Sequence, residues 1–183
     1  LNPLTNEKII LLLISVFLLN SVFSQVSLYR MVGGKFAKEY KTGFGGFGSI
    51  NIPLNEANNR VLTLDAFDFG FFFLKPTSDL EAEGGAFISF KAGYRYIFSE
   101  ESITGFFVEP QAGFALIGVG PDYGQDLTKG LALALNLGYS LEVGQRGNNF
   151  TFGLKYEADL ANNDMSIHTV GLRVAYHFTL FGR

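Results

Sequence analysis

Residues 130 to 144 read Gly-Leu-Ala-Leu-Ala-Leu-Asn-Leu-Gly-Tyr-Ser-Leu-Glu-Val-Gly, and their alternation decides the fold. Leu131, Leu133, Leu135, Leu137, Tyr139, Leu141 and Val143 share one parity; Ala132, Ala134, Asn136, Gly138, Ser140 and Glu142 share the other. Successive side chains of a strand point to opposite faces, so a period of two sustained this long predicts a β-strand with one apolar and one small or polar face. The pattern recurs from Ala86 to Phe98, Phe106 to Leu116, Phe150 to Leu160 and Ile167 to Leu180, with a less regular first strand at about Ser27 to Phe36. Turn-forming clusters separate these segments at the spacing of an antiparallel meander, which predicts eight strands. In Val61 to Lys75, Asp65 and Asp68 fall on opposite parities, and a bulge near Ala66 and Phe67 would bring both aspartates to one face.

Composition limits the alternatives. The 183 residues contain no cysteine, so no disulfide framework or cysteine-linked lipid is expected. A net charge of −3 argues against sequence-independent nucleic-acid binding. Hydrophobic residues make up 48% of the chain, yet past the N-terminal segment no apolar run reaches the ~18 residues of a spanning helix. That first segment has Lys8, an apolar run from Ile9 to Leu19 broken by Ser15, and Ser24-Gln25 at a small-residue cleavage point. It reads as a signal peptide over residues 1–24, leaving a barrel domain over 25–183.

Alternation alone fits a soluble barrel as well as a membrane one, and the chemistry of the second face separates them. Water-facing strands favour Thr, Lys and Glu, whereas this parity carries Gly93, Gly113, Ala115, Ala132, Ala134, Gly138, Gly153, Gly171 and Ala175. Small residues with scattered charges suit the crowded lumen of an eight-stranded barrel, and the apolar parity then faces lipid. Aromatics near strand ends, such as Tyr94, Tyr96, Phe98, Phe106, Tyr139 and Phe178, suit an interfacial girdle. With the N-terminus in the periplasm, connections near 37–42, 76–84, 118–129 and 161–165 would face outward, and two of these are the longest in the chain.

Thr169 to Phe178, Thr-Val-Gly-Leu-Arg-Val-Ala-Tyr-His-Phe, alternates again and closes on Tyr-x-Phe. It resembles the terminal β-signal read by barrel-assembly machinery, carried here by Gly171, Val174, Tyr176 and Phe178, although Thr179 to Arg183 continue past the usual closing aromatic. Over residues 25–183 the chain resembles the outer-membrane-protein β-barrel family, the small porin-like and OmpA-like eight-stranded barrels in the style common in Bacteroidetes. The resemblance implies an all-β, antiparallel up-and-down transmembrane barrel in the bacterial outer membrane. Its surroundings would be outer-membrane lipid, lipopolysaccharide and the assembly machinery. No functional residues carry across, since fold analogy does not give function.

The small-residue parity collects Lys91, Arg95, Lys155 and Arg173 with Glu109, Glu142, Glu157 and Asp159, joined by Asp65 and Asp68 if the bulge forms. Charges in a narrow lumen must pair or suffer a prohibitive desolvation cost, which predicts a sealed ionic core; a selectivity-lined pore is the alternative. Gly43-Phe44-Gly45-Gly46-Phe47-Gly48 matches G-x-G-x-x-G, but Ser49 to Pro53 reads as strand, not helix, so it predicts a glycine-rich barrel strand and no nucleotide cofactor. Ser166 and His168 share a parity, as in barrel lipid deacylases, without an orienting acid; His168 suits the polar interface and His177 a core or rim position. Asp79, Glu81 and Glu83, and Asp122 and Asp126, read as solvated loop charge without the spacing of a calcium site. The expected function is a structural or accessory barrel docking on a larger outer-membrane protein, with a narrow channel and a lipid-modifying enzyme as alternatives. Phe67 to Phe73 is the expected docking surface.

Overall fold

In the computed structural model the described residues are 25–35, 37–76, 84–100, 102–118, 127–143, 148–161 and 166–177. The expected signal peptide (1–24), Phe178 to Arg183, and the acidic loop residues Asp79, Glu81, Glu83, Asp122 and Asp126 lie outside them. Eight antiparallel strands follow in order: β1 (Gln25–Gly34), β2 (Tyr40–Pro53), β3 (Arg60–Leu74), β4 (Gly85–Ile97), β5 (Gly105–Gly118), β6 (Thr128–Val143), β7 (Asn148–Ala161) and β8 (Ile167–His177). Each pairs with the next, and β8 returns to β1, Gln25 opposite Ala175 and Gly34 opposite Ile167, which closes the barrel. Closure leaves no edge strand, so every strand has a partner on both sides for its backbone polar groups.

Alternation maps onto the wall as read. Leu131, Leu133, Leu135 and Leu137 stand outside, 40 to 50% exposed, while Ala132, Ala134 and Asn136 are buried inside. Val26, Leu28, Phe44, Phe71, Phe73, Phe114, Phe152, Leu154 and Leu172 extend the outward apolar surface around the barrel. An apolar belt of this extent is untenable in water and suits lipid. Near the end that holds the chain's N-terminal strand start, Phe106 and Tyr139 meet edge to face at 5.1 Å and Tyr96 and Phe98 at 5.0 Å.

The β3 bulge is present. Asp65 pairs with Lys91 and Asp68 with Ser89, so three steps on β3 match two on β4. The same residue is extra against β2, where Ser49 faces Asp65 and Gly48 faces Phe67. Both aspartates therefore point into the lumen, and Phe69, Phe71 and Phe73 point out. A different irregularity marks β4 and β5. Gly93 pairs with Gln111 and Tyr96 with Val108, but Tyr94 and Arg95 have no ladder partners opposite Pro110 and Glu109. Proline lacks the N–H that this ladder would use.

Toward the end with connections 35–39, 75–84, 119–127 and 162–166, the lumen is filled by an apolar cluster that includes Tyr29, Met31, Phe72, Phe87, Ile117 and Ile167. Phe87 stands edge-on to Tyr29 at 5.4 Å and stacks on Phe72 at 5.9 Å. Glycine makes the room. A Cβ on Gly70 would lie 2.4 Å from the Phe87 ring, and one on Gly171 2.6 Å from Tyr29. Burying side chains of this size is worth about 1.5–3 kcal/mol each.

Candidate functional site: the lumen ion network

Below the apolar cluster the inward residues of mid-strand are charged, and the bulge sets the geometry. Asp68 Oδ1 accepts the Tyr29 hydroxyl at 2.6 Å; its Oδ2 accepts Lys91 Nζ at 3.1 Å and Lys155 Nζ, with Arg173 Nη2 at 3.7 Å. Glu157 Oε1 accepts Lys91 Nζ and Ser89 Oγ, each at 2.8 Å, and its Oε2 forms an ion pair with Lys155. The side chains of Lys91, Lys155, Asp68 and Glu157 have no solvent exposure.

A second group lies toward the end where β1 starts and β8 ends. Arg95 Nε donates to Glu109 Oε2, and Glu109 Oε1 accepts Gln111 Nε2 at 2.7 Å and Asn136 Nδ2 at 3.2 Å. Arg173 Nη2 reaches Asp65 Oδ2 at 3.3 Å while its Nη1 donates to Asn136 Oδ1 at 3.3 Å, joining the two groups. Guanidinium faces rest on rings, Arg173 over Phe47 at 3.3 Å and Arg95 over Phe107 at 4.9 Å. Through Tyr29, Phe47, Asp68, Lys91, Glu109, Asn136, Lys155 and Arg173 the network draws a side chain from every strand. Buried ion pairs gain little net stability, because desolvation offsets the attraction, but removing one partner leaves an uncompensated charge. One-residue slippage of β3, β4, β5, β7 or β8 would turn its charged residue into lipid, so the network also holds register.

Two charged residues depart from the expected network. Glu142 is exposed beside the last residue of β6, where water solvates it, and its backbone N–H donates to Thr104 Oγ1 at 2.9 Å. Asp159 is fully buried but forms no ion pair among the described residues. The neutral members Ser89, Gln111 and Asn136 escaped the reading from charge alone, although they share its parity. The apolar cluster also escaped it, since Phe72, Phe87, Ile117 and Ile167 sit on the parity read as polar.

The remaining candidates have other engagements. Ser166 Oγ donates to the Ala161 carbonyl and accepts its N–H, each at 3.0 Å, while His168 Nδ1 meets Tyr156 Oη at 2.7 Å on the outer wall. The structure thus gives Ser166 and His168 separate hydrogen-bond partners instead of pairing them as nucleophile and base. His177 lies in the lumen between Asn51 Nδ2 at 2.9 Å and Thr151 Oγ1 at 3.1 Å. The G-x-G-x-x-G stretch is part of β2, and rings from β3 lie over it: the Phe67 ring is 2.7 Å from where a Gly48 Cβ would stand.

A closed antiparallel barrel with an apolar outside and a charged inside defines an integral outer-membrane β-barrel of the small eight-stranded type. No family model and no curated protein matches the chain. Among solved structures it is similar to Neisserial surface protein A, with a TM-score of 0.55 and 13% identity over 84% of this chain and 95% of that one. Ail, the attachment invasion locus protein of Yersinia pestis, superposes with a TM-score of 0.48 and 17% identity over 85% of this chain and 99% of that one. The N-terminal barrel of Pseudomonas aeruginosa OprF gives 0.39 and 19% over 85% and 98%. The first likeness establishes the fold shared with a bacterial surface barrel, and the apolar outer wall agrees with a place in the outer membrane.

Proposed function

We propose that the protein is a sealed outer-membrane barrel, exported by residues 1–24, that acts as a structural or accessory subunit beside a larger outer-membrane protein. The observation that carries this reading is the filled bore: a ring of interlocked ion pairs with an apolar cluster stacked on one side. A cavity of about 20 Å³ opens beside Arg95, Glu109 and Arg173, room for about one water. With the bore so filled among the described residues, function falls to the outer wall and the loops. On that wall Phe73, Phe44, Phe71, Phe69 and Phe67 run in a continuous chain of ring contacts with centroids 5.7 to 6.4 Å apart, a rigid aromatic surface for a neighbouring barrel.

Reconstitution in planar bilayers tests the sealed bore. Negligible steady conductance is expected. Reproducible channels whose ion selectivity changes in Arg95→Glu or Glu109→Lys would sink the reading in favour of a narrow pore. Gentle extraction tests the accessory role: a larger outer-membrane protein should co-purify, and consistent recovery as a monomer would count against it.

A further inference from the structure

The described residues bury five carboxyl groups in the lumen, Asp65, Asp68, Glu109, Glu157 and Asp159, against four cationic side chains, Lys91, Arg95, Lys155 and Arg173. Four of the five are ion-paired. Asp65 has Arg173, Asp68 has both lysines, Glu109 has Arg95 and Glu157 has both lysines. The fifth, Asp159, has no exposure, and neither carboxyl oxygen accepts a hydrogen bond. Its cross-strand neighbours are Ala132 on β6 and Ile167 on β8, both members of the apolar cluster.

Among the described residues, the charged groups of the lumen that could face Asp159 have other partners. Lys91 from β4 and Lys155 from β7 are engaged by Asp68 and Glu157. Tyr29 from β1 gives its hydroxyl to Asp68, and Arg173 from β8 is held by Asp65 and Asn136. Imidazole His177 lies between Asn51 and Thr151, ten residues along β8 from the Ile167 that faces Asp159, and so at the opposite end of the lumen. On the same inward face of β7, two residues earlier, stands Glu157, whose Oε2 is ion-paired with Lys155.

A carboxylate at this position would be a bare charge among alanine and isoleucine, an arrangement that costs several kcal/mol. A carboxylic acid has no such charge and supplies an O–H donor that a neighbouring carboxylate can accept. We propose that Asp159 is a proton-binding site of the lumen: it is the neutral carboxylic acid of the network and donates its hydrogen to Glu157. The buried charges then balance at four against four, and the barrel holds one proton as a fixed component. This inference rests on burial and pairing, so it stands apart from the accessory role and from the conductance result.

Infrared spectroscopy of the full chain in lipid vesicles at neutral pH reads it. Wild type should show the carbonyl stretch of a protonated carboxyl, and Asp159→Asn should lack it. Asparagine is neutral and also donates, so Asp159→Asn should change the unfolding equilibrium constant by no more than a few-fold. Asp68→Asn, which strips a charge from two lysines, should raise it by a factor of about 100 or more. Absence of the band in wild type, or its persistence in Asp159→Asn, would overturn the proposal. So would an Asp159→Asn variant as unstable as Asp68→Asn or unable to fold, which would mean that an ionised Asp159 is held by a bound cation.

Discussion

Replacing Lys155 with methionine tests whether the lumen is held as one interlocked unit. Lys155 Nζ contacts Asp68 and Glu157 with no exposed side-chain area on any of the three, so water cannot take over its role. Methionine keeps the length of the side chain and removes the charge. Asp68 then retains Lys91, Tyr29 and a longer contact to Arg173, while Glu157 retains Lys91 and Ser89. Two carboxylates are left to share one close lysine. Breaking a buried pair in this way costs about 3–5 kcal/mol. At a urea slope of about 2 kcal/mol per molar, the midpoint should fall by about 2 M. The chain contains no tryptophan, so far-UV circular dichroism in lipid vesicles is the suitable signal, checked by the mobility of unheated samples in gels. Glu142→Gln serves as the control, since an exposed strand-end charge should change stability by less than about 0.5 kcal/mol. A Lys155→Met midpoint within error of wild type would refute the argument, because the cation would then contribute nothing that its neighbours cannot replace.

The lipid-facing assignment predicts that Leu135→Arg, on the outer wall of β6, destabilises the barrel in vesicles by about 2–4 kcal/mol; folding of the wild-type chain in buffer without lipid would instead contradict the membrane assignment. For assembly, Phe178→Ala should lower outer-membrane levels and increase periplasmic degradation in pulse-chase experiments. Unchanged levels would move the proposed β-signal off Gly171, Val174, Tyr176 and Phe178.

The fold was legible because the lipid-facing parity obeys one rule. A bilayer demands apolar side chains along the whole outward face, so Leu131 to Val143 announces its strand without reference to any other segment. The β3 bulge was legible for a related reason: Asp65 and Asp68 cannot both occupy the inward face unless one residue is extra. The lumen obeys no single rule. Its upper part is apolar and its middle ionic, and what each position needs depends on side chains from strands far away in sequence. Phe87 fits because Gly70 is small, and Glu109 is satisfied by Gln111 and Asn136, pairings that appear only when the barrel closes. Glu142 was misplaced by parity alone, because alternation fixes the face of a residue but not whether the strand still lies within the wall at that point.

The lapse in the ladder opposite Pro110 gives the wall a seam. Around most of it, neighbouring strands are joined by main-chain bonds that any sequence could make; between Tyr94, Arg95 and Pro110, Glu109, as at the β3 bulge, that general adhesive is interrupted. The join there is made instead by Arg95 gripping Glu109 from inside. Cohesion here is thus written in side chains, and it can be cut by exchanging a single residue while the backbone of both strands is left untouched. A cylinder hooped by main chain around most of its girth has a clasp here, and its resistance to being pulled open along this seam depends on the strength of that clasp.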